Sequence, residues 1–135
     1  MVGQVKTING QKQIIAISGT TTNNNYSTNE IDTGSTWIDG KRIYRKVVSC
    51  GALPNGTSKS VAHGISNLEH FVTIAGIAWG SAGSDSIPLP LVSMSGKQYD
   101  VGIFCNTTNI VLECGANRSS FVNTYAILEY TKTSS

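Results

Sequence analysis

Apolar and polar residues alternate with a period of two along most of the chain, the pattern of strands with one covered face. In Arg42–Cys50, Ile43, Arg45 and Val47 share one face, and Tyr44, Lys46 and Val48 share the other. Phe121–Lys132 alternates in the same way, with Ala126, Leu128 and Tyr130 opposing Tyr125, Ile127 and Glu129. Phe71–Ala78 is nearly all apolar, which predicts a central strand covered on both sides. Ile87–Met94 carries Pro88 and Pro90, whose missing N–H donors demote it to an edge or irregular strand. Gln98–Cys105 and Ile110–Cys114 flank Asn106-Thr107-Thr108-Asn109, a predicted hairpin tip, and Asp39-Gly40 predicts a turn ahead of Arg42. At the N-terminus, Gln4–Ile8 and Lys12–Ser18 flank Asn9-Gly10-Gln11 as a hairpin, followed by Gly19–Asn25, an apolar-free linker or exposed loop. Ile65–His70 is the one candidate for a turn of helix. The pattern predicts an all-β protein: an antiparallel, jelly-roll-like β-sandwich over residues 26–135, preceded by an N-terminal β segment over 1–25.

Composition agrees with strands joined by turns. Ser (16), Thr (14), Asn (11) and Gly (14) make up 55 of 135 residues, and only 13% are charged. At 39% hydrophobic residues the chain can build a modest core, but it lacks the Ala, Glu, Lys and Leu of a helical bundle. A net charge of +2 has no basic run behind it, and a strand splits Lys41 and Arg45 from Arg42 and Lys46. Nucleic acid is therefore not an expected partner. No apolar stretch approaches the roughly 20 residues that span a bilayer, so membrane insertion is not expected either. In the predicted hairpin Cys105 faces Ile110 and Cys114 lies near Val101, a register that opposes a bridge, so the three cysteines read as reduced and buried.

Catalytic patterns are weak. His63 and His70, with Glu69, Asp85 or Asp100, lack metal-ligand spacing and read as a loop and a strand-leading histidine. No Gly-x-Ser-x-Gly elbow and no P-loop exists. Glu69, Glu113 and Glu129 read as solvent-facing strand positions, and Asp39 as a turn residue. No enzyme activity, metal or cofactor is expected. Trp37, Tyr44, Phe71, Phe104, Phe121 and Tyr130 fall on strands and read as core. Trp79 opens the polar loop Trp79–Ser86, where an aromatic ring beside Asp and Ser suits stacking on a sugar, against the alternative of a ring folded onto the core.

The stretches Tyr26-Ser27-Thr28-Asn29-Glu30 and Gly34-Ser35-Thr36-Trp37-Ile38-Asp39-Gly40-Lys41-Arg42-Ile43-Tyr44-Arg45-Lys46, with His63-Gly64-Ile65-Ser66-Asn67 and Leu128-Glu129-Tyr130-Thr131-Lys132-Thr133, carry a family resemblance. The chain resembles the C-terminal head domains of bacteriophage and prophage tail-fibre or baseplate receptor-binding proteins. Val5-Lys6-Thr7-Ile8-Asn9-Gly10-Gln11 is similar to pieces of tail-fibre shafts, and the sequence departs from them after Gln11.

This resemblance implies a homotrimer in the virion tail, joined to upstream shaft or baseplate proteins. Its expected function is recognition of a host-surface saccharide or wall polymer during adsorption, with weak sites reinforced by avidity. Loops 79–86, 106–109 and 115–120 are the expected distal binding loops. They give Trp79, Ser81, Asp85, Asn106, Asn109, Asn117 and Arg118 as candidate ligand contacts. Three readings stand beside it: a structural tail-tip or baseplate piece without receptor binding, a polysaccharide-cleaving tail-spike head acting through an acid such as Asp85, and a free lectin.

Overall fold

The computed structural model describes the backbone of residues 4–8 and 11–16, and residues 22–81 and 85–133 in full. The described residues hold ten strands: β1 (Gln4–Ile8), β2 (Gln11–Ala16), β3 (Ile31–Thr36), β4 (Arg42–Gly51), β5 (Ser58–Ala62), β6 (Leu68–Gly80), β7 (Ser86–Leu89), β8 (Val101–Cys105), β9 (Asn109–Cys114) and β10 (Phe121–Lys132). They form a two-stranded sheet β1-β2, a five-stranded sheet β3-β4-β10-β6-β7 and a three-stranded sheet β5-β9-β8. Every pairing is antiparallel. The chain is all-β, and a short 3-10 turn spans Lys97–Tyr99.

The long strand β10 is the spine. On one flank Ala126 pairs with Val48 and Leu128 with Lys46; on the other they pair with Gly76 and Ile74. Period-two alternation puts Ala126, Leu128 and Tyr130 on the covered face, all fully buried. Ile110, Leu112, Val101 and Cys114 of the three-stranded sheet join them in one hydrophobic cluster, which also takes in Ala78, Leu89 and Phe121. The core thus lies between one face of the large sheet and one face of the small one. The faces expected for β4 and β10 are those observed.

Local signals set several connections. The turn before β4 closes through Gly40 N–H donating to the Trp37 carbonyl at 2.9 Å, and Asp39 Oδ1 accepts from Lys41 N–H. Gly40 stands at φ +86°, a backbone region that L side chains avoid. β7 is an edge strand, as Pro88 requires, and it stops at Leu89, ahead of Pro90 and short of the expected end at Met94. Cys105 pairs with Ile110 and Cys114 with Val101, the register the sequence implied, and all three thiols are free. Burial raises all three thiol pKa values, that of Cys105 to about 11.

Three expectations need correction. Residues 65–70 form no helical turn: Asn67 adopts a positive φ of 55° and β6 begins at Leu68. Residues 22–25 form an exposed loop, one of the two expected readings, tied to the sheet where Asn23 N–H donates to Thr33 O and the Arg45 guanidinium donates to Asn23 O and Asn25 O. Of the aromatics assigned to the core, Phe104 and Trp37 are exposed; Phe104 pairs with Val111 and so stands on the face of the small sheet opposite the buried Ile110 and Leu112. β6 is covered on one face only by its own chain, and Ile77 and Trp79 point away from the core. The expected turn residues Asn9 and Gly10, the end of the second strand at Ser18, and residues 19–21 and 134–135 lie outside the described residues.

Candidate functional site

The two ends of the unit formed by residues 22–133 differ. Asn23 joins Thr33, Ser27 O accepts from Val47 N–H, and the Thr33 hydroxyl donates to Ile43 O, so the N-terminal segment arrives at the level of the start of β4. The same end holds Tyr44, Phe71 and Tyr130, which pack ring to ring. At the far end, Gly80 pairs with Phe121, whose carbonyl accepts from Leu53 N–H. Arg118 N–H donates to Pro54 O, which ties the loop after β9 to the same end.

The seven candidate contacts divide between these ends. Trp79, Ser81, Asp85, Asn117 and Arg118 come to the far end, Asp85 through its carbonyl, which accepts from Gly80 N–H at 2.7 Å. Asn106 and Asn109 sit at the near end, beside His63, whose backbone N–H donates to Thr108 O. Trp79 belongs to β6 rather than to a loop, with its ring 5.3 Å from that of Tyr125 on the outer face of the large sheet. Asn106 Oδ1 accepts from Thr108 N–H, Asn109 N–H and the Thr108 hydroxyl, and Asn117 Oδ1 accepts from both Ser119 N–H and its hydroxyl. Both amides thus close turns.

His63 lies in the loop after β5, as expected, and is buried there. Its Nδ1 accepts from Ile65 N–H at 3.2 Å, which leaves Nε2–H to donate to Asn106 O at 3.0 Å. Both ring nitrogens are engaged, and the described residues contain no cluster of three or more His, Cys, Asp or Glu able to hold a metal ion.

A concave feature lies at the far end, on the outer side of the small sheet: an open cleft of about 470 Å³. Its lining includes Thr57, Ser58, Lys97, Asp100, Glu113 and three glycines. Register explains the grouping. Glu113 pairs with Ser58 on one side and Gly102 on the other, so its carboxylate stands on the open face between a hydroxyl and a bare backbone. Ser58 Oγ donates to Glu113 Oε2 at 3.4 Å. The second wall is residues 97–100, held by Asp100 Oδ1 accepting from Ser93 N–H at 2.7 Å. Gly115 permits this wall, because a Cβ there would stand 2.5 Å from Gln98 O.

Beyond that wall, Ser93, Ser95, Tyr99 and Arg118 line an adjoining depression of about 380 Å³. Arg118 donates to Tyr99 O at 2.7 Å and lies over the Tyr99 and Phe121 rings, while its buried Nε has no partner. Hydroxyls, two carboxylates, an ammonium, a guanidinium and a half-exposed tyrosine ring therefore share one end of this unit. Such a surface can bond polyol hydroxyls in both directions and stack a C–H face.

Sequence reasoning found Arg118 here but read Glu113 as solvated and left Lys97 and Tyr99 unassigned. The readable signal was the hairpin register: with Val101 beside Cys114, Gly102 faces Glu113 and opens space next to it. Comparison with protein-family models, with curated proteins and with solved structures finds no match.

Proposed function

We propose that the chain is the head of a bacteriophage or tail-like-particle receptor-binding protein. In this reading it is a non-enzymatic homotrimer that recognises a host-surface saccharide or wall polymer, and residues 1–25 join it to the upstream shaft or baseplate. One observation carries it: the polar cleft of Asp100, Glu113, Lys97 and Ser58 opens at the end furthest from where the N-terminal segment arrives. A head carried on a fibre meets the cell with that end. The family resemblance of Trp37–Lys46 and Leu128–Thr133 supports the same reading, as does a surface rich in hydroxyl and amide groups.

The test is binding of the purified chain to an array of bacterial surface polysaccharides and teichoic acids. Binding that falls at least tenfold in Glu113→Gln and Asp100→Asn, with melting temperature unchanged, is the expected result. Absence of any glycan ligand, with the protein retained in purified tails, would leave the structural tail-tip reading in its place; glycan binding by a monomer would favour a lectin.

Two carboxylates on one cleft are also the equipment of glycoside hydrolysis, the specific observation behind a second reading. The same polysaccharides decide it. Release of reducing ends, abolished in Asp100→Asn, replaces binding with cleavage.

A further inference from the structure

The outer face of the large sheet carries a second surface of opposite character. Tyr125 pairs with Ser49 and Ile77, and Ile127 with Val47 and Ala75, so the side chains facing away from the core form an apolar stripe. Tyr26, Val47, Ile77, Trp79, Tyr125 and Ile127 line a shallow groove of about 280 Å³ along it. The Trp79 ring is 44% exposed. β6 has the composition of a strand covered on both faces, and its own chain covers one.

We propose that this face packs against a second copy of the chain. Charge argues against a polar ligand. Arg45, the cation beside the stripe, is satisfied at home by Glu129 at 2.8 Å, by two backbone carbonyls and by the Tyr26 ring. The groove therefore asks a partner for apolar area and no counter-charge, which a copy of the same stripe supplies.

The N-terminal sheet points to the same occupant. β1 and β2 pair with each other and with no other strand, and a lone two-stranded hairpin is marginal in water. Ala16 lies six residues before Thr22, within about 20 Å of it along the chain. The segment that follows runs past Arg45 to Tyr26, on the border of the stripe. Association of hairpins from neighbouring copies continues directly into association of these faces. The proposal takes its copy number from the trimer reading above and adds the surface.

Light scattering on the purified chain tests it, with Ile77→Lys and Ile127→Glu as variants and Phe104→Ser, on the outer face of the other sheet, as control. The expected mass is three times 14.3 kDa for the parent and the control, and 14.3 kDa for both stripe variants at the same concentration, with strand circular dichroism retained. In a Trp37→Phe background, Trp79 fluorescence should resist acrylamide at high concentration and become accessible on dilution, a readout that needs no stripe substitution. A trimeric parent whose stripe variants stay trimeric, or a Trp79 accessible at every concentration, overturns the interface and leaves the trimer. A monomeric parent, including one whose stripe instead captures lipid vesicles or another protein, overturns both. Loss of glycan binding at unchanged mass strikes the cleft alone.

Discussion

The buried Tyr130 hydroxyl donates a 2.6 Å hydrogen bond to Glu30 Oε1, joining the last strand to a residue one hundred positions earlier. Glu30 also accepts from Lys132 at 2.9 Å, and Lys132 lies over the Tyr44 ring. The segment leading from the N-terminal sheet is thereby fastened to the spine of the head. Burial, and then the carboxylate that accepts its proton, push the Tyr130 phenol well above the ordinary tyrosine range. Tyr130→Phe keeps the ring packing and deletes the bond to a charged group, with an expected loss of about 1.5 kcal/mol in urea unfolding. An unchanged midpoint would show that the bond contributes nothing net.

Gly115→Ala tests how the cleft is built. The new methyl would meet Gln98 O at 2.5 Å, so residues 97–100 must move outward. The expected cost is about 1–3 kcal/mol of stability, in the range of overpacked sites, together with loss of glycan binding. Retained affinity at lowered stability would show that the second wall does not contact the ligand.

Asn106→Ala separates turn chemistry from recognition. Its Oδ1 closes the β8–β9 turn with three hydrogen bonds, at the end away from the cleft. About 1 kcal/mol of stability should be lost, with glycan affinity unaltered. A tenfold drop in affinity at constant fold would move the site to the near end.

Alkaline pH should weaken the fold through the thiols. Desolvation lifts Cys105 from 9.0 to about 11, so the folded chain holds this proton more tightly than the unfolded one. That contribution is whole below pH 9 and is lost as pH rises from 9 toward 11. Melting temperature should fall across this window, and Cys105→Ala should flatten the fall; an identical slope in the variant would contradict the assignment.

Strand positions, their inward faces and the hairpin pairing of Cys105 with Ile110 were legible because each is local. Side chains alternate every residue along a strand, and Asp39-Gly40 and Asn106–Asn109 are read within a few positions. The centre of the strand order β3-β4-β10-β6-β7 is not local: the pairings of β10 with β4 and β6 join residues 41 to 86 positions apart, and no period in the sequence encodes them. The β8-β9 hairpin by itself sets Asn106 and Asn109 at its tip and Asp100 and Glu113 at its base, whereas the contact of Arg118 with Tyr99 needs the loops on either side of it to meet. Burial of His63 and exposure of Phe104 were tertiary outcomes too: His63 meets the Asn106 carbonyl 43 positions away, and Phe104 lies on the face of the small sheet turned away from the core. The chain alone determined a β protein with one alternating core. The packing of its sheets decided which polar residues share a cleft and which apolar ones stay uncovered, because side chains distant in sequence meet only when strands pair across the sheet.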